Sequence, residues 1–469
     1  MSTGSNGRDA IVVGAGVAGL SAAAALASQG IRVTVLERRP YVGGRAYSYL
    51  HPALDEVVDS QHVLLGCCTN LIAFLKEAGV ADKVRWYGKQ TFLTPDRERG
   101  IIQLSALPAP LQYTNSFLAL PTLSLADKLA IARGLAGLMR GEPGDDRESI
   151  AHWYRRSGQT SGAVRHFWEP IVLATLNDSA ANSSMRYGAK VFYELFLKNR
   201  EGGCLGIPTV PLSELYGAGA ALVESLGGEV KLRAGVDKLV RQNDGRWRLE
   251  CGEQSYVADD VILALPFEQT KRLLGSMESS VVEVEGAALL ECMARFVHAP
   301  FISVLLWYDR QITDLHHAWL LDTTIQWFFH KSKIRGYAAD RGSYVELVIA
   351  GSRDDLPKPR AEILRSALAE LARFFPEATR AKLVKSAILK EARATFSVTP
   401  GLEETRPANT SGIPGLFLAG DWTRTDWPST MEGAARSGRL AAGSVLGEPL
   451  KFLVPDLPAE GVMRWVGRS

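Results

Sequence analysis

The chain has 469 residues, 46% of them hydrophobic and 22% charged, with a formal net charge of +2. That length exceeds one ordinary core and predicts two or three domains. A nearly neutral balance without a basic face excludes a nucleic-acid binder.

Five cysteines (Cys67, Cys68, Cys204, Cys251, Cys292) form no C-x-x-C pair. The pattern argues against a disulfide framework or a metal site and predicts buried thiols in a reducing cytoplasm. The first apolar run, AIVVGAGVAGLSAAAALA, is broken by three glycines, and no uninterrupted run of about 20 apolar residues occurs elsewhere. The expectation is a soluble protein, or one attached at most to a membrane surface.

Asp9 to Val13 read as a β strand running into Gly14-Ala-Gly16-Val-Ala-Gly19 and then a helix, LSAAAALASQG. Between a strand and a helix, G-x-G-x-x-G is a dinucleotide-binding turn. Gly14 permits the turn, Gly16 admits a pyrophosphate to the backbone, and Gly19 lets the helix pack on the strand. The helix N-terminus presents free N–H groups to the phosphates. The second strand, IRVTVLE, ends at Glu37, near the spacing of the acid that accepts a ribose hydroxyl hydrogen bond. RRPYVGGRAYS then supplies Arg38, a second close backbone approach at Gly43-Gly44, and a cation, Arg45, beside the diphosphate.

The segment LPAPLQYTNSFLALPTLSLADKLAIARGLAGLM carries apolar residues over more than half the face of consecutive helices. It reads either as an ordinary two-helix core or as a surface that dips into a bilayer. In FWEPIVLATLN, Glu169 follows two aromatics, so burial is expected to raise its pKa. SELYGAGAALVESLGGEVKLRAGVDKLV reads as helix, Gly turn and strand, and ADDVILALPFEQTKRLL as a buried strand followed by Pro. FISVLLWY and YVELVIAGS alternate like strands that floor a cavity. Near the end, LFLAGDWTRTDWPSTMEGAARSGRLAA is a short strand, a Gly-Asp turn rich in Trp, and an Ala/Gly helix.

The run E-x-x-x-x-x-G-G-R from Glu37 to Arg45 resembles the FAD-binding signature of the amine oxidase and carotenoid desaturase superfamily. DSQHVLLGC, FWEPIVLATLN, VPLSELY and AGDWTRTDWPSTMEGAARSG resemble, more narrowly, the hydroxysqualene dehydroxylases, with Ser60 where Gly is expected before Gln61-His62. The resemblance implies an α/β fold. A Rossmann-like FAD domain would be built from residues 1–90, 206–272 and 405–448. A substrate domain of helices and a mostly antiparallel sheet would come from 91–205 and 273–404, with 449–469 as a C-terminal tail.

It further implies that Gln61, His62, Val236, Gly420, Asp421, Thr430, Met431 and Glu432 join the glycines, Glu37, Arg38 and Arg45 around FAD, with Glu432 capping the last helix. The implied reaction replaces the hydroxyl of hydroxysqualene by hydride, in bacterial hopanoid or triterpene synthesis at the cytoplasmic membrane face. Glu169 and His62 are the candidate proton donors, against structural roles as a helix cap and a loop anchor. Trp427 is expected as an aromatic wall that stabilises an allylic cation by its π-face. The alternatives are a carotenoid-type polyene desaturase or an amine oxidase using oxidised FAD. No second nucleotide motif for a nicotinamide is present, so electrons are expected from a partner or from free reduced flavin.

Overall fold

A computed structural model describes residues 7–140, 144–277 and 285–466. Five parallel strands form one sheet, in the order Glu229–Leu232, Arg32–Glu37, Asp9–Val13, Asp260–Leu263, Leu416–Leu418. The central strands are short runs rich in β-branched residues and buried but for Asp9 at the start of one, as strands covered on both faces must be. Against them pack the helix Val17–Ala27 and the closing helix Met431–Val445, from opposite ends of the chain. Their contact needs small residues: a Cβ on Gly438 would lie 2.2 Å from the Ala18 carbonyl oxygen.

A second sheet has seven strands, in the order Leu383–Phe396, His298–Tyr308, Ser343–Ala350, Trp327–Phe329, His317–Leu320, Lys89–Leu93, Arg99–Gln103. Its pairs are antiparallel except where His317–Leu320 runs parallel to Lys89–Leu93. The fold is therefore mixed α/β, with a Rossmann-like parallel sheet beside helices and a mostly antiparallel sheet. The boundary expected between residues 90 and 91 falls inside the strand Lys89–Leu93. No helix among the described residues is long and apolar enough to cross a membrane.

The FWEP motif turns out to be packing. Trp168 is fully buried between Trp153 and Phe192, and its indole N–H donates to Gln159 Oε1 at 2.7 Å. It lies in one of two π-helical turns, Val164–Trp168 and Tyr193–Leu197, whose aromatic residues interlock.

Against the antiparallel sheet lies a sealed ionic cluster. Lys331 pairs with Asp59 and, at 2.6 Å, with Glu346, and Arg335 reaches Asp59 at 2.7 Å. Ser48 Oγ donates to Asp59 at 2.7 Å, and Ser303 Oγ and the Gln61 N–H donate to Glu346 at 2.6 and 2.8 Å. Burial by itself would push the Asp59 carboxyl up, but Lys331 and Arg335 hold it well below the usual carboxylate range. Two positive and two negative charges balance. Lys331→Met would leave Asp59 and Glu346 with one cation between them. It is expected to cost about 3–5 kcal/mol in denaturant unfolding, whereas Lys83→Met on the surface should leave the midpoint unchanged.

Candidate functional site

The Gly-rich turn opens at the carboxyl end of the central strand, where the parallel sheet turns outward in both directions and such folds bind ligands. Gly14 has φ +105°, and a Cβ there would lie 2.7 Å from the Ala264 carbonyl oxygen. A Cβ on Gly19 would meet Gly14 O at 1.9 Å. Gly16 bridges to Gly43, and Gly44, at φ +63°, stands so close that its Cβ would be 3.0 Å from Gly16 Cα. The two glycine pairs thus form a bare-backbone cradle beside the N-terminus of Val17–Ala27, a shape that fits a diphosphate.

Glu37 ends its strand with both oxygens occupied, accepting the Ala15 N–H and the Arg39 N–H at 2.8 Å each. Its carboxylate therefore holds the turn itself, while each oxygen keeps a second lone pair for a ribose hydroxyl. Arg38 and Val236 line the cavity at this end. Arg39, which sequence reasoning missed, donates to the Gly44 carbonyl at 2.8 Å and stacks on Tyr47 at 5.1 Å. It braces the cradle and lines the cavity beside Arg38.

At the other end, Arg45 and Asp421 pair with each other across 376 residues of sequence. The expected free cation beside the diphosphate is thus already neutralised, because Asp421 takes Arg45 on one oxygen and Ser429 Oγ on the other. The Gly-Asp-Trp turn owes its shape to Arg406, a second residue that sequence reasoning missed. Fully buried, it donates to the carbonyls of Asp421, Thr423 and Trp427, and to Tyr187. Five guanidinium N–H groups can hold so many carbonyls in one plane, and Lys cannot. Its signal was visible as a lone Arg before Pro, with nothing in the pattern to say where it pointed.

Thr430, not Glu432, caps the closing helix: Thr430 Oγ1 accepts the Gly433 N–H at 3.1 Å. Glu432 reaches the N-terminus of a different helix, Thr69–Glu77, where it accepts the backbone N–H groups of Asn70 and Leu71 at 3.2 and 2.8 Å. It does not line the larger cavity, so its expected contact with FAD is corrected to a structural cap. Gly420, Asp421, Thr430 and Met431 do line it.

Gln61 and His62 lie at the cavity wall, and Ser60 beside them avoids positive φ, so the missing Gly costs no backbone strain. His62 Nδ1 is 2.9 Å from the Ser60 carbonyl oxygen and must carry the proton. Burial lowers the His62 pKa, leaving a neutral ring whose Nε2 accepts rather than donates. His62 is thus a proton acceptor instead of the expected donor. Glu169 has the raised pKa that its burial predicts, yet it lines neither cavity and accepts the Ala180 N–H at 3.2 Å. Its helix turns the side chain toward the following loop. Trp427 is a wall of the smaller cavity, but Lys190 and Arg436 lie over its ring at 5.2 and 5.5 Å. Its π-face is already taken by the protein's own cations.

The larger cavity, of about 390 Å³, adjoins a smaller one of about 160 Å³, and both are walled by Val63, Ala174, Thr175, Trp327, Thr430 and Met431. The antiparallel sheet is their common floor. Alternate residues face inward: Glu391, Phe301 and Ala350 in one row, Leu389, Val348, Trp327, Trp319 and Phe92 in and beside the next. Phe92, Trp319, Trp327 and Phe329 are neighbours, with ring centroids 5.5, 3.9 and 5.1 Å apart. Glu391 differs from the other carboxylates of the larger cavity. Glu37, Asp59 and Asp421 are engaged, whereas Glu391 makes no hydrogen bond or ion pair among the described residues. Burial pushes its carboxyl up against the pull of Arg39.

Gly16 has φ −78°, which any residue adopts, and a Cβ there would make only ordinary contact with Gly44. Gly16→Val should therefore fold while filling the cradle. Losing one amide–phosphate hydrogen bond, worth about 1.5–3 kcal/mol, weakens FAD binding by about tenfold to a hundredfold. Flavin absorbance retained after dialysis measures it.

Comparison with known proteins agrees with this geometry. The family model for flavin containing amine oxidoreductases matches residues 17–446. The chain is 26% identical over 467 residues to a 15-cis-phytoene desaturase of Solanum lycopersicum, covering 93% of this chain and 77% of that one. It is 25% identical over 457 residues to the 15-cis-phytoene desaturase of Synechococcus elongatus, covering 93% and 95%. Among solved structures, cyclohexylamine oxidase from Brevibacterium oxydans superposes with a TM-score of 0.66 at 18% identity, over 94% of this chain and 99% of that one. A bare-backbone cradle, a Glu-ended second strand and a C-terminal strand that returns to close the site are what FAD requires, and the protein belongs to the flavin containing amine oxidoreductase family as an FAD-dependent oxidoreductase.

Proposed function

We propose that the protein removes the hydroxyl group of hydroxysqualene to give squalene and water. The observation that carries this reading is the apolar cavity that shares a wall with the cofactor cradle and runs along an aromatic floor. Such a channel suits a long isoprenoid chain and keeps water from it. The motifs shared with the hydroxysqualene dehydroxylases along nearly the whole chain support the same substrate.

Reduced FAD supplies hydride when bound. The chain's own residues have two further tasks. Hydroxide leaves poorly, so the departing oxygen needs a proton, and Glu391, the unpaired and partly buried carboxyl whose pKa burial raises, is the acid we assign to supply it. The carbon left behind is an allylic cation, which the faces of Trp327 and its neighbours can stabilise in place of Trp427. Substrate, one hydride and one proton balance squalene and water.

A second reading, polyene desaturation with oxidised FAD, draws support from His62. A neutral ring with a free Nε2 can take the proton that such a reaction releases. An amine oxidase reading has less behind it, since no lysine lines the larger cavity among the described residues.

Anaerobic incubation with chemically reduced flavin and hydroxysqualene, analysed by gas chromatography and mass spectrometry, is expected to yield squalene. Unchanged alcohol from a flavin-loaded, reducible enzyme would sink the dehydroxylase reading. Phytoene converted by the oxidised enzyme with a quinone acceptor would replace it by the second.

Glu391→Gln is expected to lower turnover by about a hundredfold or more, with the flavin spectrum unchanged. Because burial raises the Glu391 pKa, the acid form persists above the ordinary carboxylate range, and activity is lost as pH rises through that raised value. The Gln variant should lack this limb of the profile. Trp327→Leu is expected to lower turnover by about tenfold with KM little changed, measured by the same product assay.

A further inference from the structure

We propose that the outer face of residues 107–129, together with the C-terminal turn at Trp465, is a docking surface for a bilayer carrying anionic lipid.

The helix Leu125–Leu138 buries Asp127, Ala130, Ile131, Gly134 and Leu138. Its opposite face, which a water-facing helix fills with polar residues, instead presents Leu125 at 72% and Leu129 at 63% exposure, with Ala126, Ala132 and Ala136 around them. Leu118 adjoins this face, because the Lys128 ammonium donates to its carbonyl at 2.7 Å. The exposed Leu111 and Leu107 continue the surface through the turn where the Leu111 N–H donates to the Pro108 carbonyl. The C-terminal segment reaches the same place. Gly461 packs so tightly on Ala109 that a Cβ would lie 2.3 Å from the Ala109 carbonyl oxygen. In the turn that follows this contact the Trp465 N–H donates to the Val462 carbonyl, and Trp465 itself is 87% exposed. Scattered exposed leucines are ordinary, but a connected track ending in a bare Trp is not.

Charge selects the occupant. Beside the track stand the exposed cations Arg133 and Arg464 and the half-buried Lys128, against one partly exposed acid, Glu460, which accepts the Arg200 N–H. The nearby acid Asp127 is turned inward, accepting from Ser124 and Thr160. Leucines flanked by Lys and Arg, with an interfacial Trp, match the boundary between acyl chains and anionic headgroups. Immediately behind the track, Tyr113 lines the smaller apolar cavity. A substrate that partitions into lipid would therefore have little water to cross. The docking surface itself does not depend on which substrate that is.

The test is flotation of the full-length, FAD-loaded protein with phosphatidylcholine–phosphatidylglycerol vesicles and with pure phosphatidylcholine vesicles. The wild type is expected to float with the anionic vesicles and much less with the neutral ones. Leu125→Ser with Leu129→Ser should weaken that binding by about tenfold or more, with the melting curve and flavin absorbance unchanged. Lys128→Glu with Arg133→Glu should abolish the preference for anionic lipid. Four results would overturn the proposal. These are a wild type that stays at the bottom of the gradient, a double Ser variant that floats like the wild type, equal binding to both vesicles, and a stable dimer that the Ser substitutions dissociate. None of these readouts uses substrate, so their failure is separable from failure of the squalene assay with detergent-dispersed alcohol.

Discussion

The molecule turns on four charges placed where no water reaches them. Asp59, Lys331, Arg335 and Glu346 are worth little as a source of net stability, since desolvating ions offsets most of what their attraction returns. Their value is positional. Asp59 begins the Asp-Ser-Gln-His loop at the cofactor cradle, while Lys331, Arg335 and Glu346 belong to the layer that floors the cavities. Misalignment of the two layers would strand a buried ion, so the cavity between them has one low-energy geometry. A hydrophobic contact of the same area would tolerate sliding.

The chain ends are joined in the same spirit. Arg45 finds Asp421, Gly438 receives Ala18, and Glu432 caps a helix that begins near residue 69. Each link uses a residue that would look like cofactor machinery if only its neighbourhood in sequence were considered. Arg406 gathers the carbonyls of the closing turn in a comparable way. The cradle is thus bounded by structure that must be finished before a cofactor can be gripped.

Sequence pattern reached the parallel sheet and the Gly-rich turn because their physics is local. A bare backbone position, a strand of β-branched residues and an acid at its end all leave marks within a few residues of one another. The roles of Glu169, Trp427 and Glu432 lie beyond local pattern because each depends on where a side chain points after long-range packing. Glu169 did have the raised pKa that burial foretold, yet it faces a loop instead of a cavity. The aromatic floor was visible only as separate residues. Trp319, Trp327 and Phe92 become neighbours through strand register, which hydrophobic alternation does not specify. Glu391 left no local mark at all, since an unpaired acid on a strand usually faces solvent.

The order of the parallel sheet also bears on how the protein is made. The central strand Asp9–Val13 pairs on one side with a strand synthesised soon afterwards, but its other neighbour is Asp260–Leu263, and beyond that lies Leu416–Leu418. During translation the Gly-rich turn therefore emerges long before the strands and helix that complete its pocket. For most of synthesis the first strand has an open edge able to pair with other chains. Contacts so distant in sequence make for slow folding. The flavin pocket is consequently complete only once the strand Leu416–Leu418 and the helix Met431–Val445 are in place.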